Sequence, residues 1–412
     1  MYETSIERLK RDIENIARFT ATPGEGRTSF SYSDEDAKVR QYLKEQFDSL
    51  GLKVSVDGVG NIRARLEGTE REALPVMAGS HVDSVFQGGN YDGVVGVAGA
   101  LEVARVIVEN KIKLKNPFEI VVFSEEEGSN FGSCCQGSKV LVGNLEIEDI
   151  KGLKNDKGIS MYEMARNAGF HPDSMKRFLL KPGDLKAMLE IHIEQSSVLE
   201  NQGVSLGIVE AIAGLKQFSV VVEGVPNHAG ATPMSLRHDP LVAASIMIAE
   251  LEVITSEKAL PTTVGTVGKI VCEPNVSNVI PGKVSFTMDI RDVDEKGIDM
   301  TVSQIKKRIF EIAEHYGVEV SLDLLGEQDV VRLSEKMADT LEEVAKERDL
   351  DYTRMNSGAV HDAVLLVPVT EVGLIFVPSW HGRSHVAAEY TEMEDIKKGC
   401  DLLLGTILRL AS

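Results

Sequence analysis

The sequence predicts an α/β protein: a mixed, mostly parallel sheet covered by helices, with a smaller α+β domain inserted in the chain. Two observations carry that expectation. Over the first 210 residues, short apolar strands alternate with helical patterns, as in a parallel sheet buried on both faces. Near residue 214 the texture changes to long alternating strands and helices, and the earlier alternation returns near 327. The larger domain is therefore expected at 1–213 and 327–412, around a four-stranded insert at 214–326. At roughly 100 to 200 residues per domain, a chain of 412 residues has the length for this division.

The elements follow in order. Ile6, Leu9, Ile13 and Ile16 recur at helical spacing among charges, which is an amphipathic helix and not the apolar core of a leader. Residues 34–50 read as a helix, 53–66 as short strands, PVMAGS (75–80) as a buried strand and 93–110 as a helix rich in Gly, Ala and Val. A second buried strand at 118–124 contains EIVVFS, 145–183 is helical and loop-rich, and AMLEIHIEQ (187–195) is another strand. In the insert, KQFSVVVEG, TVGTVGKIV and KVSFTMDIRD read as strands, with helices at 240–255 and 296–316 and a strand at 317–324. A helix at 391–410 closes the chain.

Composition excludes several classes. With 43% hydrophobic and 26% charged residues the chain can bury a full core, so disorder is excluded. Sixty-four Asp and Glu against 44 Lys and Arg give a net charge of −20, a surface that repels phosphate backbones and anionic headgroups. Neither nucleic acid nor a membrane is expected as a partner, and no run approaches the ~18 apolar residues of a span. Four cysteines are too few for a disulfide framework, and adjacency disfavours pairing of Cys134 with Cys135. Reduced thiols in a cytoplasm are expected, with Cys134 and Cys135 packed in the core.

Ligands bind at strand ends in open α/β sheets, and here those ends carry metal-ligand chemistry. After PVMAGS come His81 and Asp83, then Asp92 in the loop GGNYDGVVG; after EIVVFS come Glu125, Glu126 and Glu127. His192 lies within AMLEIHIEQ, and His385 follows LIFVPS in WHGRSH. Three adjacent carboxylates at a sheet rim repel one another unless a cation is near. Two ions side by side need a bridging carboxylate and terminal His or carboxylate ligands, and this set supplies both. Nitrogen and oxygen donors without thiolate suit manganese, zinc, cobalt or nickel. Asp83 is placed to orient the His81 ring. The glycines beside Asp92 are no dinucleotide fingerprint; they let its loop turn tightly.

The segments GSHVDSVFQGGNYDG, SEEEGSNFGSCCQGS, LEIHIEQSSVLE, NHAGATPMSLRHDP and NVIPGKVSFTMDIRD resemble the N-carbamoyl-L-amino-acid amidohydrolase and allantoate amidohydrolase group, with β-ureidopropionases of the same type. That group belongs to the di-metal aminoacylases and carboxypeptidases, and the resemblance runs from about residue 10 to the C-terminus. It implies a di-metal aminopeptidase-like catalytic domain and a ferredoxin-like lid and dimerisation domain. It further implies His81, Asp92, Glu127, His192 and His385 as ligands of two divalent ions, with Asp92 bridging. Glu126 would be the general base, with Glu125 the competing assignment and otherwise structural or solvated. Substrate would be held by Gln195, Asn278, Arg291 and the Gly358 backbone, while His361 and Asp362 hold their loop; Arg291 would clamp the carboxylate bidentately, or else form a plain ion pair with Asp289 or Asp292. His228 would stabilise the oxyanion from the partner subunit of a homodimer.

The implied reaction is hydrolysis of the terminal C–N bond of an N-carbamoyl-L-amino acid. Allantoate, ureidoglycolate, N-acyl amino acids or peptides are the alternatives. Three segments depart from the family pattern: Gln195-Ser196-Ser197 replaces Gln-Gly-Pro, Val360 replaces a glycine, and Trp380-His381-Gly382-Arg383 precedes Ser384-His385 where Asp-Gly-Ile is usual. All three spare the ligands, and Trp380 with Arg383 points to a bulkier or more anionic substrate.

Overall fold

The computed structural model describes residues 2–70 and 72–412. Two compact units divide the chain. One holds the residues up to Glu210 together with Leu333–Met355 and Val360–Ser412, and the other holds Ala211–Arg332 with Asn356–Ala359. The crossings expected at 214 and 326 fall at 211 and 332. The short return at Asn356–Ala359 was expected in the larger domain, and a four-residue excursion leaves no periodicity to read.

In the larger unit the strands Phe118–Phe123, Val76–His81, Ala187–Ile193 and Val372–Val377 lie side by side in that order, all parallel. Every residue of the four is buried, as continuous apolar runs covered on both faces should be. Antiparallel strands flank them: Ile62–Leu66 and Lys53–Val56 on one side, the start of Gly207–Ile212 on the other. The helix Val94–Glu109 packs on the sheet through glycine. A Cβ on Gly96 would come 2.5 Å from the Ser80 Cβ and 2.7 Å from the Ile191 carbonyl oxygen. Against that helix pack Ile6–Ala17, capped by Ser5 and burying Leu9, Ile13 and Ile16, and the closing helix Met393–Ala411. The pairs Arg8–Glu102 and Arg105–Asp12, whose carboxylates are fully buried, tie the first helix down. Because the four central strands run the same way, His81, Glu125–Glu127, His192 and Trp380–His385 all emerge at one edge of the sheet.

The smaller unit is an antiparallel sheet in the order Ile270–Glu273, Lys283–Asp292, Gly214–Glu223, Glu319–Gln328. A fifth segment, Val264–Thr266, also pairs with Lys283–Asp292, and Thr287 N–H donates to Lys269 between the two. The expected fourth strand is thus one edge, interrupted. Along Lys283–Asp292 every second residue is buried, and Phe218, Val220, Val222, Val284, Phe286, Met288 and Ile290 pack under the helices Pro240–Glu257 and Glu295–Tyr316. A two-residue ribbon pairs Asn227–His228 with Val279–Ile280. Among the described residues no helix is long and apolar enough to cross a membrane.

Gly79 tests the tightness of the sheet beneath His81, because a Cβ there would fall 1.8 Å from the Val121 carbonyl oxygen. Overpacking against side chains costs about 1–3 kcal/mol, and backbone yields less. Gly79→Ala should lower the thermal midpoint sharply or abolish soluble protein; an unchanged midpoint would refute this packing.

Candidate metal centre and active site

The five candidate ligands meet in the larger unit. Oδ1 of Asp92 lies 3.4 Å from His81 Nε2 and 3.2 Å from His192 Nε2, while Oδ2 lies 3.4 Å from His385 Nε2. His385 Nε2 is also 3.3 Å from Glu127 Oε2. Two of the three groups of metal-competent donors among the described residues contain Asp92, His81/Asp92/His192 and Asp92/Glu127/His385, and each of its oxygens faces one of them; the third, Glu190/His192/His361, shares His192. This donor set fits a pair of divalent ions: imidazole and carboxylate only, with one carboxylate common to both groups.

Backbone contacts aim the imidazoles. His192 Nδ1 sits 2.9 Å from the Ile193 carbonyl and His81 Nδ1 3.3 Å from the Asp83 carbonyl, which leaves Nε2 of each as the lone-pair side facing Asp92. Asp83 is placed as expected beside the His81 ring, with its main-chain carbonyl the nearer group and its carboxylate 3.8 Å from Nδ1. Its carboxylate also accepts the Glu126 and Glu127 N–H groups at 3.2 and 3.1 Å, fixing the acidic segment. Gly93, at φ 65°, leaves room for His81, since a Cβ there would lie 2.5 Å from the ring.

The three glutamates have separate surroundings. Glu125 is fully buried, not solvated, and accepts from Asn130 N and Nδ2; burial and then Asp83 push its carboxyl up to about 8. Glu126 is directed toward the ligands, with Oε2 3.7 Å from His81 Nε2, and Oε1 accepts from the Cys135 thiol at 3.3 Å. Cys135 was expected only to fill the core; it also holds this carboxylate. Burial pushes Glu126 well above the usual carboxylate range, and burial followed by Asp92 pushes Glu127 up to about 7. His385 rises to about 9, chiefly through its hydrogen bond to Asp92. Such stress is what dry carboxylates impose on one another when no cation shares their charge.

Gln195 donates from Nε2 to Asp92 Oδ2 at 2.7 Å, and its Oε1 is buried with no hydrogen-bond partner among the described residues. Glu125, Cys135, Gln195 and His385 all hold φ between 53° and 59°, left-handed backbone concentrated around the donor groups. His361 meets His192 edge to face at 4.5 Å, Ala363 N–H donates to Glu190, and Asp362 accepts from Ser138 Oγ, so this loop is pinned behind the ligands. Trp380 is 43% exposed and stacks on His381 at 4.0 Å, with the Arg383 guanidinium 5.3 Å from its ring centre.

His228, Asn278, Arg291 and Gly358 belong to the smaller unit. His228 Nδ1 accepts from Gly230 and Ala231 N–H, which leaves Nε2 as the donor of an exposed ring. Asn278 is its neighbour, since the Asn278 carbonyl accepts from Ala229 N–H. Arg291 grips Asp289 through Nε and Nη2 and donates from Nη1 to the Gly358 carbonyl. Its Nε edge is thus engaged by Asp289, and the Gly358 oxygen is already used. Asp292, the other candidate partner, is buried and accepts from Thr262.

Sequence reasoning missed three residues. Ser384 donates to Asp92 Oδ2 at 2.8 Å, and the Glu389 carboxylate accepts from the N–H groups of Tyr91 and Asp92. Arg27 is buried and donates to the Val82 carbonyl, with Nε and Nη1 unpartnered among the described residues; burial lowers its pKa, against the opposing charges of Asp83, Glu127 and Glu389. Only Ser384, adjacent to a candidate ligand, carried a signal. An isolated arginine and one acid among several carried none.

The raised Glu125 carboxyl gives a signed pH effect. Between about pH 5 and 8 the folded metal-free chain keeps a proton that the unfolded chain has released, so stability falls as pH rises. Glu125→Gln should therefore gain on the parent protein between pH 5 and pH 8 in urea denaturation of chelator-treated samples. A stability difference independent of pH would contradict the burial of an ionisable Glu125.

The model of peptidase family M20/M25/M40 matches residues 77–409. The chain is 36% identical over 404 residues to an N-carbamoyl-L-amino-acid amidohydrolase of Paenarthrobacter aurescens, covering 98% of both chains. It is 35% identical to an allantoate amidohydrolase of Escherichia coli strain K12, across 98% of this chain and 97% of that one. The crystal structure of a hydantoinase/carbamoylase family amidase from Burkholderia multivorans superposes with a TM-score of 0.93 at 31% identity, over 100% of this chain and 98% of the other. With the strand-end donors in place and this full-length similarity, the chain belongs to peptidase family M20/M25/M40 and, within it, to the hydrolases of non-peptide C–N bonds that include the N-carbamoyl-L-amino-acid and allantoate amidohydrolases.

Proposed function

We propose that this protein hydrolyses the terminal C–N bond of an N-carbamoyl-L-amino acid, releasing ammonia, carbon dioxide and the free amine, with two divalent ions per subunit. The observation that carries the reading is the pair of donor groups sharing Asp92, with Glu126 alongside and outside both groups. His81, Asp92 and His192 would hold one ion and Asp92, Glu127 and His385 the other, manganese, zinc, cobalt or nickel being the candidates. Bound there, the ions would supply Lewis acidity and a water of lowered pKa.

The remaining chemistry belongs to the chain. Glu126, steadied at Oε1 by Cys135, takes the proton of the attacking water through Oε2 and returns it to the departing ammonia. The carbamate left behind loses carbon dioxide. His228 donates from Nε2 to the carbonyl oxygen as it becomes an oxyanion. Arg291, its guanidinium oriented by Asp289 and the Gly358 carbonyl, and Asn278 fix the substrate carboxylate. Gln195, whose amide is committed to Asp92, offers its unpartnered Oε1 to a substrate N–H group.

The smaller unit acts in this reading as lid and dimerisation domain of a homodimer. Support comes from its exposed apolar residues: Val242 on the helix Pro240–Glu257, and Ile270 and Val271 on the edge strand. Four cysteines outside any disulfide fit a cytoplasmic setting. Trp380 and Arg383 favour a bulkier or more anionic substrate.

Ammonia release from N-carbamoyl-L-amino acids, allantoate, ureidoglycolate and 3-ureidopropionate, with added manganese and after chelation, tests the reaction. N-acyl amino acids and dipeptides in the same panel test the acylase and peptidase alternatives. Release that survives chelation would remove the metal mechanism. Glu126→Gln should retain bound metal and lose about 10²- to 10⁴-fold in turnover; retained turnover would transfer the role to Glu125. Arg291→Lys should raise KM with little change in kcat, because lysine lacks the planar fork. An unchanged KM would exclude the clamp.

A further inference from the structure

We propose that Glu389 is a positioning residue that locks the Asp92 loop to the turn carrying His385, setting the distance between the two donor groups. This inference rests on the two-ion reading and deepens it. Glu389 is buried, 5% exposed, nearly 300 residues along the chain from the loop it holds. Its Oε1 accepts the Tyr91 and Asp92 N–H groups at 2.9 and 3.1 Å, and its Oε2 accepts from Ser384 Oγ at 3.1 Å. The single Ser384 hydroxyl proton is shared with Asp92 Oδ2 at 2.8 Å, which closes a ring of contacts through Asp92, Ser384 and Glu389.

Two further observations show that the sequence makes room for this brace. A Cβ on Gly89 would fall 2.1 Å from the Glu389 carboxyl, so the loop admits the side chain only because residue 89 has none. The turn itself closes on Trp380 N–H donating to the Tyr390 carbonyl at 2.9 Å, which presents Ser384 and Glu389 together. A buried carboxylate next to Asp92 is an expensive placement, and three hydrogen bonds reaching two ligand-bearing segments are the compensation. His385 is 49% exposed at its side chain. Its position therefore depends on how its turn is anchored more than on packing around the ring.

The test is cobalt binding to the chelator-treated full-length protein. It is followed by competition with a chromophoric chelator and by the visible absorption of the bound ion, which reports ligand geometry. Glu389→Ala should weaken at least one of the two cobalt sites by about 10- to 100-fold, the usual effect of losing a group that orients ligands, and change the spectrum. Glu389→Gln should restore binding to within a few-fold, since its oxygen can accept both N–H groups and its amide can donate to Ser384 Oγ. Gly89→Ala should reproduce the Glu389→Ala defect by filling the carboxyl's place, which keeps the test available if Glu389→Ala does not fold. Two cobalt sites of parental affinity and spectrum in Glu389→Ala or Gly89→Ala would overturn the proposal, as would a Glu389→Gln protein as impaired as alanine. Failure of the parent protein to bind two ions would instead overturn the two-ion reading on which it rests.

Discussion

The structure around the candidate site depends on the Asp92 carboxylate and on giving its two oxygens different neighbours. One faces His81 and His192, and the other faces His385 with Gln195 and Ser384. Against its burial, the facing imidazoles hold this carboxyl well below the usual range. Glu126 and Glu127, buried a few ångströms away, are pushed the other way. Acids under such opposed pressures persist only where the surrounding backbone is held rigidly.

That rigidity is assembled in layers. Four parallel strands with no exposed residue deliver the donors to one edge, and close backbone contacts at Gly79, Gly93 and Gly96 leave little room for them to drift. Hydrogen bonds then set each side chain: main-chain carbonyls for the imidazoles, the Asp83 carboxylate for the Glu126 and Glu127 amides, a weak thiol donor for Glu126. A thiol fixes the direction of a base while withdrawing less of its charge than a hydroxyl would. The left-handed residues Glu125, Cys135, Gln195 and His385 are where this scaffold carries its backbone strain.

In the smaller unit the same logic acts on exposed groups. The tautomer of His228 follows from two backbone N–H groups on Nδ1, and the direction of the Arg291 guanidinium follows from Asp289 on one edge and the Gly358 carbonyl at Nη1. Both groups are presented in one chemical orientation while remaining open to solvent. An uncommitted histidine or arginine would have to lose that freedom on binding.

The sequence by itself determined the parallel core, the inserted sheet and the donors at the strand ends. Hydrophobic periodicity and residues next to strand ends are local properties, so His81, Asp92, Glu127, His192 and His385 could be named from the strands that precede or contain them. It also left Arg291 divided between a substrate clamp and an ion pair. Only the tertiary structure decided that Asp289 holds it, that Asp83 serves Glu126 and Glu127 with its carboxylate and His81 with its carbonyl, and that Cys135 touches Glu126. Arg27 and Glu389 were invisible for the same reason. Their partners lie 55 and almost 300 residues away, and a contact across that distance leaves no pattern in the chain, because it exists only once the loops have closed on one another.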